Sequence, residues 1–217
     1  MRDSCLMHPN SQSTTRPEAR RSHNRHNELL ESAARVFREK GYAMASMRDI
    51  AEGAGMTVGS IYYHYPAKSD LLRAVYEEGV KRWSETFDAA IDGLTDPWEA
   101  IHAAARNHLI RITAFRRPDP DPDANYASVF IQIQPHDFPA EHAAAMLAMR
   151  DQYEERFRAL MARLKLPRGV DRSVLRMQLI GALNHVPLWY RPTGKLTASA
   201  IANRMVQQLR QAMEIRP

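Results

Sequence analysis

From residue 26 onward, apolar residues recur every three or four positions in one segment after another, and no stretch alternates as a half-buried strand would. The pattern predicts an all-α chain. Between residues 46 and 65 the predicted helices are short: Met47, Ile50, Ala51 and Ala54 make one stripe, Ile61 and Tyr65 a second, and Gly55 stands between them. Ser46 and Thr57 precede the two stripes, where a hydroxyl can accept a free amide hydrogen of a first turn. Gly55 suits the left-handed residue that ends a helix, and Pro66 disfavours helix in Tyr65.

Longer helices follow. One is predicted over 69–92, ending near Gly93, and one from Pro97 with Trp98, Ile101, Ala105, Leu109 and Ile112 on one face. A short apolar segment at 125–135 precedes a long helix over 141–164, striped by Met149, Tyr153, Phe157, Leu160, Met161 and Leu164. Residues 171–190 are apolar on more than one face. The last helix, 197–213, carries Ile201, Met205, Leu209 and Met213 four residues apart. Proline-rich residues 116–125 are a predicted loop, and Pro135 and Pro139 bracket another turn.

Two short helices joined by a tight glycine turn match the helix-turn-helix, whose second helix enters the DNA major groove. The outward positions of that helix would be Val58, Gly59, Ser60, Tyr62, Tyr63 and His64. Gly59 allows close backbone approach, Ser60 can bond a base edge or phosphate, and Val58 offers an apolar surface to a thymine methyl. The hydroxyls of Tyr62 and Tyr63, with His64 and Lys68, suit phosphate oxygens. Three consecutive polar-tipped rings on one turn cannot all point inward.

Residues 26–75, and in particular the Phe37/Gly41/Tyr42 helix end, MRDIAEGAG, GSIYYHY and Lys68, closely resemble the DNA-binding domain of TetR-family transcriptional regulators. The resemblance implies a dimeric regulator with a small-molecule pocket in a larger C-terminal helical domain. It implies DNA contacts at Thr57, Gly59, Ser60, Tyr62, Tyr63, His64 and Lys68; Ser46 and Val58 complete the expected DNA-binding set. Many family members carry lysine where this chain has Val58, so one cationic contact is absent here.

Three segments are expected: a disordered basic tail over 1–24, a helix-turn-helix domain over 25–72, and a ligand-binding and dimerisation domain over 73–217. The chain has 217 residues, 44% of them hydrophobic, and a net charge of +5. Five arginines, Arg2, Arg16, Arg20, Arg21 and Arg25, stand in the first 25 residues against Asp3 and Glu18. Such a segment is too poor in apolar residues to fold alone. It could follow the minor groove or phosphates as an arm, or stay a solvated leader. The single Cys5 permits no intrachain disulfide, which suits a reducing cytoplasm. No apolar run approaches the ~18 residues of a membrane span, nor is there a signal-peptide core, so a soluble cytoplasmic protein without membrane contact is expected.

The surplus apolar surface on 171–190 calls for a partner, and in the family the last two helices pair with their copies in a homodimer. Polar residues interrupt the apolar stripes at Asn107, His108, Gln178, Asn184 and His185. Each is either a ligand contact or a core group with its hydrogen bonds satisfied. Residues 183–197, LNHVPLWYRPTGKLT, resemble family members that regulate fatty-acid or steroid-ring degradation and sense acyl-CoA thioesters. The same segment also serves as a turn between helices. If the effector is an acyl-CoA, Arg176, His185, Trp189 and Arg191 are expected to hold adenine, pantetheine or phosphate, with His108 and Asn184 also in the ligand site.

No P-loop, dinucleotide turn, paired-His metal motif or activated nucleophile is present, which argues against an enzyme. Asp119, Asp121 and Asp123 are interleaved with prolines and lack the glycine and glutamate of a calcium loop. No metal or cofactor is expected. The expected partners are a palindromic double-stranded operator, a small apolar or acyl-CoA effector that releases a repressor, and a second copy of the chain. A helix-turn-helix adaptor for protein contacts and an effector-independent DNA binder are the alternatives.

Overall fold

The computed structural model describes residues 17–117, 122–133, 138 and 140–214. Cys5, Arg2, Arg16, Asp119, Asp121, Pro135 and Pro139 lie outside the described residues. All regular structure among the described residues is helical: α1 (Pro17–Met44), α2 (Met47–Ala54), α3 (Val58–His64), α4 (Lys68–Ile91), α5 (Pro97–Ile112), a 3-10 turn (Ala114–Arg116), α6 (Pro122–Gln132), α7 (Ala140–Ala162), α8 (Arg172–Trp189) and α9 (Ala198–Glu214).

The basic tail corrects one expectation, since residues 17–24 belong to α1 and only 1–16 fall before it. The segment has no core of its own, but α1 is anchored by buried Leu29, Leu30, Ala33, Ala34 and Phe37. Extending an existing helix costs far less than nucleating one. Gly41, at φ 71° and ψ 164°, breaks α1 near its end, a conformation that a Cβ would oppose.

The other local signals act as their chemistry requires. Ser46 caps α2 in a reciprocal box: its hydroxyl accepts from the Asp49 amide at 3.2 Å, and the Asp49 carboxylate accepts from the Ser46 amide at 3.1 Å. Gly55 closes α2 at φ 62°. Thr57 accepts from the Ser60 amide at 3.2 Å and opens α3. Asp96 caps α5, with Pro97 in the first turn.

α1, α2 and α3 form a small unit around Ile50, Ile61 and Phe37, all buried. α4, 24 residues and about 36 Å long, shares that core through Leu71, Leu72 and Val75 and continues to place Trp83 and Phe87 among α5–α7. The expected boundary at 72/73 therefore falls inside α4, which belongs to both halves. α5 packs against α4, α6, α7, α8 and, most extensively, α9.

A charged cluster ties the halves together. The Arg82 guanidinium on α4 reaches Glu31 of α1 (3.5 Å), Glu78 (2.7 Å) and Asp123 of α6 (3.4 Å), and lies over the Tyr126 ring. Asp123 also pairs with Arg111 of α5. Its carboxylate joins helices, and no group of three or more potential metal ligands exists among the described residues.

Candidate nucleic-acid interface and ligand cavity

α3 projects one side chain, Ile61, fully into the core and leaves Gly59, Tyr62, Tyr63 and His64 exposed. Tyr63 is 85% exposed and meets His64 edge to face at 5.1 Å. An aromatic so exposed gains nothing from the fold, so its phenol is available to an external partner. No side chain would contact a methyl added at Gly59. The Thr57 hydroxyl accepts its capping bond and keeps its own hydrogen to donate.

Three of the expected DNA contacts are engaged within the fold. Lys68 does not project outward: its ammonium donates to the carbonyl oxygens of Tyr42 (2.6 Å), Ala45 (2.8 Å) and Ala43 (3.3 Å) and lies 4.5 Å from the Tyr42 ring centre. The end of α1 leaves carbonyls without amide partners, and an ammonium on the adjoining helix satisfies several at once. Val58 is half-buried against the core, because an apolar first-turn residue gains more from that contact than from water. Ser46 spends its hydroxyl on the cap, donating to Asp49 at 2.8 Å while accepting the amide.

Two features were not singled out from the sequence. Arg48, exposed in the first turn of α2, has no ion pair among the described residues; its position opposite the Met47/Ile50/Ala51 stripe was the available signal. Gly53 lies where a Cβ would come within 2.4 Å of the Ser32 hydroxyl and 2.5 Å of the Arg35 guanidinium. Ser32, buried, donates to the Ile50 carbonyl at 3.0 Å, so α2 rests directly on α1. Asp49 also pairs with Lys40 at 2.8 Å, and these hydrogen bonds, Lys40 first and Ser46 next, lower its carboxyl to about 2.

In the other half, α5, α6, α7 and α8 line a cavity of about 190 Å³ that opens to the surface beside Asn184. Its lining combines apolar Ile112, Phe130, Ile131, Phe157 and Ile180 with polar His108, Arg150, Tyr153, Glu154 and Asn184. His108 is buried, with Nδ1 3.0 Å from the Tyr153 hydroxyl and Nε2 2.9 Å from the Asn184 amide oxygen. Burial pushes its imidazole down to about 4, against a smaller opposing effect of the Asn184 hydrogen bond, so it is neutral at pH 7. Burial likewise raises the Tyr153 phenol, which stays protonated. Arg150 donates to the Tyr76 hydroxyl (2.7 Å) and the Phe130 carbonyl (3.1 Å).

Of the six expected ligand residues, His108 and Asn184 line this cavity. Arg176 stands one step behind it, donating to the wall carboxylate of Glu154 at 2.9 Å. His185, Trp189 and Arg191 do not enter it: all three are exposed, Trp189 by 50%. On a helix that buries Leu179, Leu183 and Val186, residues at 185 and 189 fall on the other side. Tyr153, Glu154 and Arg150 were missed as wall residues because, on α7, their spacing is that of an ordinary amphipathic helix. Val174, Met177, Leu188 and Trp189 form an exposed apolar face along α8.

Two short helices joined by a glycine turn on a larger helical body define a helix-turn-helix protein. The model of the N-terminal domain of bacterial regulatory proteins of the tetR family matches residues 29–75, and that of the tetracyclin repressor-like C-terminal domain matches 122–213. The chain belongs to the tetR family. The transcriptional repressor KstR2 of Mycobacterium tuberculosis is 32% identical over 77 residues, which make up 36% of this chain and 38% of that protein. The matched region thus spans about two fifths of that relative's length.

Solved structures match over more of the chain. AibR in complex with isovaleryl coenzyme A and operator DNA is 26% identical, with a TM-score of 0.69, over 85% of this chain and 97% of that one. The regulator PfmR of Thermus thermophilus is 26% identical, with a TM-score of 0.65, over 83% and 96%. No helix among the described residues is long and apolar enough to cross a membrane.

Proposed function

We propose that the protein is a transcriptional repressor that binds a palindromic operator as a homodimer and is released by a small effector of the acyl-CoA class. The observation that carries DNA binding is the exposed Tyr62-Tyr63-His64 turn at the end of α3, uncovered by the fold and preceded by Gly59 with open space around it. Tyr62, Tyr63, His64, Thr57 and Arg48 supply phosphate contacts; Ser60 and the Gly59 backbone meet base edges. Two copies joined through the exposed face of α8 and through α9 set two α3 helices about 34 Å apart, one turn of the duplex. A monomer would leave Val174, Met177 and Leu188 in water.

The effector's acyl end occupies the cavity. At about 190 Å³ it is somewhat larger than the ~150 Å³ void that accepts benzene, so it suits a short or branched acyl group. The coenzyme then lies outside, where His185, Trp189 and Arg191 are exposed beyond Asn184. The crystal of AibR with isovaleryl coenzyme A and operator DNA supports this class at 26% identity. His108, neutral and held on both nitrogens, has no free ring nitrogen for proton transfer and serves to position Asn184, which favours a sensor over an enzyme.

α4 carries the signal, because it packs on α1 at one end and on the cavity helices α5–α7 at the other. The effector must bind the non-operator spacing more tightly than the operator-bound one, since equal affinity shifts nothing. Selection from a random DNA pool with the purified full chain tests the proposal. Recovery of a palindrome whose binding falls on adding isovaleryl coenzyme A is the expected result. Recovery of no sequence above non-specific background overturns it in favour of an adaptor.

A further inference from the structure

The hydrogen bonds through His108 have a direction, and that direction constrains what the cavity can recognise. Tyr153 is buried, and among the described residues the one hydrogen-bond neighbour of its hydroxyl is His108 Nδ1. Were Nδ1 the donor, the phenol hydrogen would be left without an acceptor in the interior, a loss of about 1–3 kcal/mol. The phenol therefore donates to Nδ1. A neutral imidazole carries a single hydrogen, which then sits on Nε2 and is donated to the Asn184 amide oxygen at 2.9 Å. This fixes the orientation of the amide: its oxygen faces inward, and its NH₂ is left with two hydrogens and no protein acceptor among the described residues.

Asn184 lines the cavity and is at the same time exposed, so it stands at the mouth. We infer that the Tyr153–His108–Asn184 relay makes Asn184 an obligate donor at the cavity mouth, selecting effectors whose polar end is a hydrogen-bond acceptor next to a short apolar tail: a carbonyl, ester or thioester oxygen. The inference rests on the cavity being the effector site. Every link of the chain points its hydrogen the same way, and none can reverse alone without leaving a buried group unpaired. The apolar lining residues Ile112, Phe130, Phe157 and Ile180 take the tail. Polar-end selectivity is thus set through the Tyr153 phenol and the His108 imidazole, which line the cavity together with Asn184.

Three probes of one shape test this: 4-methyl-2-pentanone, which only accepts; 4-methyl-2-pentanol, which accepts and donates; and 2,4-dimethylpentane, which does neither. Dissociation constants are measured by ligand-observed NMR on the full chain at pH 8, where the imidazole stays neutral. The wild type is expected to bind ketone and alcohol alike. Asn184→Asp keeps the shape and still accepts from Nε2, but turns the mouth from donor to acceptor. In that variant the ketone should weaken at least 5-fold relative to the alcohol, while the alkane is unchanged. Equal effects on ketone and alcohol, or none, overturn the inference and leave the cavity as a site. Failure of all three probes to bind the wild type overturns the effector site itself, and the inference with it. An unchanged thermal midpoint of the variant shows that the fold is intact.

Discussion

The Lys68 ammonium lies 2.6 Å from the Tyr42 carbonyl oxygen and 4.5 Å from the centre of the same residue's ring, so one side chain at the start of α4 closes the end of α1. Lys68→Met should cost about 2 kcal/mol of stability, the scale of charged hydrogen bonds lost from a partly buried site. Urea denaturation measures this. The salt slope of operator binding should stay as in the wild type, whereas loss of a phosphate ligand would lower it by about 1.

Gly53 and Gly59 should respond in opposite ways to alanine. At Gly53 the new methyl meets Ser32 and Arg35, pushing α2 off α1 at a cost of about 1–3 kcal/mol. At Gly59 nothing in the fold is in reach, and alanine favours helix by up to about 1 kcal/mol. Gly59→Ala should therefore leave the thermal midpoint unchanged or raised but weaken DNA binding, where the α3 backbone must approach the groove. Calorimetry and gel-shift titration of both variants separate the two roles.

His108 makes stability depend on pH. Its folded value is depressed to about 4 against an unfolded value near 6.5, so between these limits the unfolded chain binds a proton that the folded chain does not. Stability should fall as pH drops from about 6.5 to 4, by about 3 kcal/mol at most, and the contribution should be flat above 7. His108→Gln should flatten that window, as read by denaturation at successive pH values. The Asp49 carboxyl acts lower: its stabilising contribution is present above its ordinary range near 3.8 and is lost as pH falls toward 2.

On the reading head, Tyr63→Ala, His64→Ala and Arg48→Ala should weaken binding to all sequences alike, each reducing the salt dependence or the overall affinity. Ser60→Ala should alter base preference. Selection from a random pool with each variant shows which occurs; a changed consensus for Tyr63→Ala would reassign that residue to base reading.

Trp189→Ala should leave operator binding intact and blunt release by isovaleryl coenzyme A, with little effect on 4-methyl-2-pentanone binding in the cavity. The indole lies outside the cavity, so it can touch the coenzyme portion alone. Gel-shift competition and the NMR titration test the two halves separately.

Local chemistry was legible along the chain. The caps Ser46, Thr57 and Asp96, the αL residue Gly55 and the stripes of α2, α5 and α7 act within one or two turns, so spacing alone specifies them. The exposed rings of α3 followed from the same periodicity, since Ile61 inward forces its neighbours out. What the sequence hid was contact over long separation. Lys68 bonds carbonyls 23–26 residues away, Val58 leans on a core made by other helices, and Gly53 is small because Ser32 lies across from it.

By itself, then, the sequence determined the helices, their ends, the helix-turn-helix and the family, because these rest on neighbours three or four residues apart. Tertiary structure decided which polar groups remain for partners. His108 meets Tyr153 across 45 residues and Asn184 across 76, and only their meeting fixes a tautomer, an amide orientation and a cavity. A hydrogen bond between distant helices leaves no period in the chain, so its consequences became visible only once the helices were packed.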